Sequence, residues 1–274
     1  MDKKCRIMRR KPVAADKFYP ADKFALLNQI ETMTVSTKHK QQALALIVPH
    51  AGYVYSGAVA GKVISLVEIT DTVLLLGPNH TGLGKLYSLM CSGIWETPLG
   101  NVNINQQLAN MIVKGSKIIE EDRKAHIYEH CLEVELPFLQ YYNPRLNIVP
   151  LVVADTQIKR LKEAAQNIAN TLKAFSEQVL LVVSTDFSHY EPQEVAKEKD
   201  SAAIQAILNL EPEDLFYKVN TLNISMCGFA PVVMLLYICK ELGVKKVELI
   251  DYQTSGRVSG DYSSVVGYAG IVIR

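Results

Sequence analysis

A chain of 274 residues with 49% hydrophobic content is long enough to bury one large core. Its 29 Lys+Arg against 28 Asp+Glu leave a net charge of +1, which excludes a broad basic field for nucleic acid or an anionic membrane surface.

The N-terminal stretch MDKKCRIMRRKP is charged but is not followed by the apolar run and small-residue cleavage site of a secreted protein, so a cytoplasmic location is expected. From there, apolar runs that read as strands alternate with segments of helical period. The strands are expected at Leu44–Val48, Thr72–Leu76, Ile148–Val153, Val179–Val183, Val247–Ile250 and Ser264–Ile273. Several are Val/Leu/Ile runs without polar alternation, as strands buried on both faces should be. Between them, Ile158, Leu161, Ala165, Ile168, Leu172 and Phe175 mark an amphipathic helix behind the candidate caps Asp155 and Thr156. Further helices are expected after Ser56, through Ile104–Val113, from near Cys131, over Val195–Leu208, and from Cys227 to about Leu242. The longest apolar run, Phe229–Cys239, contains Pro231 and falls short of the ~20 residues needed to cross a bilayer. Cysteines 5, 91, 131, 227 and 239 are odd in number and form no CxxC pair, which suits free thiols in a reducing compartment. No repeat or long linker divides the chain. The expectation is one α/β domain over residues 1–274, with a central, mostly parallel sheet covered by helices on both faces.

Three apolar runs end in short signatures with histidine: LALIVPH at His50, TVLLLGPNH at His80, and VLLVVSTDFSH at Asp186 and His189. In an open parallel sheet the C-terminal strand ends share one edge, and ligands bind above it. These four residues should therefore converge, on turns stiffened by Pro49, Gly52, Gly77 and Pro78. Taken singly, His50 or His80 reads as a structural histidine bonded to loop backbone, and Asp186 as a cap or turn residue. Their joint placement is what points to a site. Cys227 precedes a buried helix, whose N-terminal dipole would lower a thiol pKa and favour a ligand or nucleophile; a small buried hydrophobe reads equally well. Within YEHCLEVELPFLQYY, His130 stands three residues before Glu133, with Glu135 beyond, as a general-base or supporting pair, or simply as an acid-rich first turn. Tyr53, Tyr55, Tyr128 and Tyr190 flank the same signatures and either line a pocket or pack. P-loop, GxGxxG, HExxH and structural-zinc spacings are absent, so any metal must be held by residues from distant turns.

The segments PVAADKFYPAD, IVPHAGYVYSG, LLGPNHTG, EHCLEVELPFL, VVSTDFSHY, SMCGFAP and SSVVGYAG, in that order from residue 11 to the C-terminus, resemble the Memo-like family. Its prokaryotic members are called AmmeMemoRadiSam system protein B. The resemblance implies a fold similar to class III extradiol dioxygenases, which hold non-haem iron on two His and one Glu. It implies metal ligands at His50, His80 and Cys227, with Asp186, His189 and His130 beside them as acid–base or orienting groups. A thiolate here replaces the dioxygenase carboxylate, so ring cleavage does not carry over directly; Asp186 is the rival third ligand. The implied cofactor is iron, with copper or zinc as alternatives, and the implied activity is metal-dependent redox chemistry on a small molecule. A second reading is a non-catalytic module that binds a peptide, as the eukaryotic relative's link to phosphotyrosine peptides suggests, or other AmmeMemoRadiSam gene products. A third is a thiol hydrolase with Cys227 as nucleophile and His189 or His130 as base.

Overall fold

A computed structural model describes residues 8–37 and 39–274 of the chain. Cys5 lies outside the described residues. The strands are β1 Arg9–Arg10, β2 Ala45–Val48, β3 Thr72–Pro78, β4 Tyr87–Leu89, β5 Ile94–Thr97, β6 Gly100–Ile104, β7 Glu120–Glu121, β8 Asn147–Val153, β9 Val179–Ser184, β10 His189–Glu191, β11 Val247–Thr254 and β12 Val265–Ile273. The helices are α1 Lys23–Met33, α2 Tyr53–Ser65, α3 Gln106–Gly115, α4 Cys131–Tyr142, α5 Ile158–Ala174, α6 Gln193–Leu208, α7 Pro212–Thr221, α8 Phe229–Glu241 and α9 Gly256–Ser259.

All twelve strands join one mixed sheet, ordered β1-β5-β6-β8-β3-β9-β2-β12-β10, with β11 on β12 and β4 and β7 attached at β8. Its centre, β6-β8-β3-β9-β2, is parallel throughout. Every residue of β2 and β3 is buried, the outcome expected of apolar runs covered on both faces. Helices α1, α2 and α4 pack together, as do α3, α5, α7 and α8; α4 and α8 both reach β3, one from each group. The two groups cover the two faces and close one continuous apolar core. Among the described residues no helix is long and apolar enough to cross a membrane.

All six expected strands are present. β3 and β11 run further than the sequence suggests, to Pro78 and Thr254. The expected helices are present too, but α8 starts at Phe229 with Gly228 as N-cap, leaving Cys227 in the preceding turn. Neither Asp155 nor Thr156 caps α5; the N-cap is Gln157, and Asp155 instead accepts from the Gln157 amide and pairs with Arg160.

Candidate metal centre

Parallel pairing sets Val48 at the end of β2 beside Ser184 at the end of β9. That register fixes the next turn. His50, 2% exposed, donates its amide to Asp186 Oδ1 at 2.9 Å, while its Nδ1 lies 2.8 Å from Ser184 Oγ. On β3, the other neighbour of β9, the chain leaves the sheet at Pro78 and reaches His80. There the amide donates to Glu129 Oε2 at 2.6 Å, and Nδ1 meets Glu129 Oε1 at 2.8 Å. The same carboxylate accepts from the His130 and Cys131 amides at 3.0 and 3.1 Å, so it satisfies the start of α4 while gripping the His80 loop. Gly77 allows this approach: a Cβ there would stand 2.6 Å from Cys131 Sγ.

His130 is the N-cap residue of α4, and its ring stacks on His80 with centroids 4.7 Å apart and on Phe18 at 4.5 Å. One ring nitrogen each from His50, His80 and His130 forms a group whose members all lie within 4.8 Å of one another. Cys227 is not one of that group; it stands beside it in the turn before α8, its Sγ 3.3 Å from His50 Nε2 and accepting from the Asp186 amide at 3.3 Å. Gly228 makes that turn fit, because a Cβ would meet Thr185 Cβ at 2.5 Å. Asp186 sits behind the cluster with Oδ1 held by the His50 amide. His189 donates Nδ1–H to the Ser225 carbonyl at 2.8 Å, which fixes the orientation of its ring. A second group of ligand atoms, from His80, Glu129 and Cys131, shares His80 with the first. Since both Glu129 oxygens already receive N–H donors, this group is the hydrogen-bonding support of His80.

The charges follow from burial. Burial first, then the neighbouring His80, hold His50 down at about 3; burial, then His50, hold His130 down at about 4. Both imidazoles are therefore neutral near pH 7, the form that binds a metal. Burial pushes Glu129 up, but the hydrogen bonds from His80 and the backbone amides outweigh it and hold the carboxyl at about 2, ionised. Asp186 is pushed up to about 6 by burial. The expected lowering at Cys227 does not occur: burial and the Asp186 carboxylate push the thiol up to about 12, against the smaller opposing effect of hydrogen bonds from Asp186 and Gly228.

The structure thus brings His50, His80, His130, Asp186, His189 and Cys227 to one sheet edge. Glu133 does not pair with His130. It is buried and taken up by Arg10, Tyr19 and the amides of Val13 and Ala14. The carboxylate that serves the histidines is Glu129, which the sequence reading passes over. The available signal was an acid immediately before His130 in YEH. Of the flanking tyrosines, Tyr53 is a packing residue that donates to the Val134 carbonyl, whereas Tyr55, Tyr128 and Tyr190 are exposed.

Comparison with known proteins yields a match to the family described as Memo-like protein over residues 10–272. The chain is 43% identical over 265 residues to a MEMO1 family protein of Aquifex aeolicus, covering 96% of this chain and 98% of that one. It is 39% identical over 285 residues to one from Methanococcus maripaludis, covering 97% and 100%. Among solved structures, an uncharacterized protein of Escherichia coli K12 superposes with a TM-score of 0.53 over 83% of this chain and 99% of its own, at 13% identity, a likeness of fold alone.

Proposed function

The chain belongs to the Memo-like family, and on that premise we propose that it is a redox metalloprotein. In this reading the ion, with iron in first place, is held by His50, His80 and Cys227. The observation that carries it is the arrangement of His50 and His80: each commits Nδ1 to a buried partner, Ser184 or Glu129, which leaves Nε2, in His50 3.3 Å from Cys227 Sγ, as the nitrogen to offer a metal. Histidine ligands of metals are usually oriented in this way.

The donor set fits a transition metal. Neutral imidazoles with a thiolate suit iron, copper or zinc; the family resemblance to iron-holding dioxygenases favours iron. His130 reaches the same point and can serve there as ligand or as acid–base group. Bound iron or copper would supply one-electron chemistry and Lewis acidity. The protein's own residues do the rest. Glu129 holds one negative charge against the His80 ring, the Asp186 amide donates to the sulfur of Cys227, and His189 Nε2 is placed to take a proton. Coordination would also offset the raised thiol pKa, since a metal deprotonates a coordinating thiol outright. The substrate class under this proposal is a small molecule or an exposed peptide. A cytoplasmic location and contact with other AmmeMemoRadiSam gene products belong to the same proposal.

The exposed Tyr55, Tyr128 and Tyr190 favour a second reading, a peptide-binding module built around the same histidines. Element analysis of untagged protein separates the two. A metal that is retained by wild type and lost in the His50→Ala, His80→Ala double variant supports the first. Peptide binding unchanged in that double variant, with no metal above trace in wild type, supports the second.

A further inference from the structure

Two acids two residues apart near the start of α4, on roughly opposite faces of the helix, are fully buried, and their partners differ. Glu133 is saturated by a guanidinium, a phenol and two amides. Glu135 meets no cation among the described residues. Its Oε1 lies 2.8 Å from Ser184 Oγ, and its Oε2 has no hydrogen-bond partner. A buried carboxyl with one half unsatisfied is costly to stability, and burial pushes this one well above the carboxylate range. Its one hydrogen bond leads to Ser184, whose oxygen is also 2.8 Å from His50 Nδ1 and 2.9 Å from the Cys131 carbonyl.

Proton counting gives this chain a direction. A serine hydroxyl has one proton and two lone pairs. With the proton of the neutral acid on the unpartnered Oε2, Oε1 is an acceptor; when Ser184 gives its own proton to Oε1, its lone pairs face His50, and Nδ1 must carry the hydrogen. Nε2, 3.3 Å from Cys227 Sγ, is then unprotonated. Without an acceptor at position 135, the Ser184 proton is shared between the Cys131 carbonyl and His50 Nδ1, and the second choice puts the histidine hydrogen on Nε2, where it blocks the site. We propose that Glu135 is the positioning residue of His50, acting through the Ser184 hydroxyl to fix the Nδ1–H tautomer. The importance of that tautomer for a ligand rests on the metal reading above; the tautomer itself does not.

The test is long-range 15N–1H correlation on uniformly 15N-labelled, metal-free protein, reading the His50 ring directly. Wild type and Glu135→Gln, whose amide oxygen keeps the acceptor, are expected as Nδ1–H. Glu135→Leu and Ser184→Ala are expected to populate Nε2–H. An Nε2–H wild type, a shifted Gln variant, or an unchanged Leu variant overturns the proposal. If the Leu variant does not fold, an unchanged Ser184→Ala variant does the same. Titration with Fe(II) is read separately: the Leu variant is expected to bind ~10–100-fold more weakly than wild type, and the Gln variant like wild type. A wild type that binds no metal ends the metalloprotein reading and leaves the tautomer result to decide this one.

Discussion

Replacing Glu129 with Gln perturbs the centre without emptying it. The carboxylate is 1% exposed and accepts four hydrogen bonds: three at Oε1, from His80 Nδ1, His130 N and Cys131 N, and one at Oε2, from His80 N. The Gln carbonyl can replace Oε1. Its NH2 must then face the His80 amide across the 2.6 Å that Oε2 spanned, donor against donor. A buried N–H left unpaired costs ~1–3 kcal/mol, and the lost charge weakens the remaining bonds. The expected stability loss is ~2–4 kcal/mol by urea unfolding of metal-free protein. Metal affinity, measured by competition with a chelator, should fall ~10–100-fold because the His80 ring loses the anion that orients it. A variant with wild-type affinity and stability would refute the assignment of Glu129 as the group that holds His80.

Other consequences are equally direct. With its thiol near 12, Cys227 of metal-free protein should react with iodoacetamide at pH 7 ~1000-fold more slowly than an ordinary cysteine; rapid labelling would restore the nucleophile reading. His126 is buried, donates Nε2–H to the Ser88 carbonyl, and is held down at about 4 by burial first and Arg10 second. Because the unfolded chain takes up this proton from about pH 6.5 downward and the folded chain only near 4, stability falls with falling pH across that window, by ~2 kcal/mol at pH 5. His126→Gln, which keeps a donor for Ser88, should lose ~2 kcal/mol less than wild type between pH 8 and pH 5, and an identical acid limb would count against this. Arg10→Met leaves the fully buried Glu133 carboxylate without its cation and should cost ~3–5 kcal/mol in urea unfolding; a loss below ~1 kcal/mol would mean the pair behaves like a surface ion pair.

The central sheet was legible because its strands are buried on both faces and so are written as unbroken Val/Leu/Ile runs. The same logic placed His50, His80, Asp186 and His189 at one edge. The short strands β4 to β7 and β10, two to five residues each, carry no period of their own and exist through pairing with distant partners. α1 and α7 were missed despite the Asp22 side-chain cap and the Pro212 start that mark them. The roles of Glu129, Glu133 and Glu135 could not be told apart in one dimension. All three are buried acids around the start of α4, and what distinguishes them is which distant segment folds against each: the His80 loop, the Arg10–Tyr19 segment, or Ser184. Cys227 lies 3.3 Å from His50 Nε2, but its helix begins two residues later and burial and the Asp186 carboxylate act on the thiol, so the expected dipole effect is outweighed.

The central claim is that His50, His80 and Cys227 hold one metal ion, and element analysis by mass spectrometry on untagged protein tests it most directly. The account predicts about one iron per chain after anaerobic loading with Fe(II) and desalting, abolished by the His50→Ala, His80→Ala double variant and weakened in Cys227→Ser. Wild-type protein that retains no iron, copper or zinc above trace after loading would contradict it.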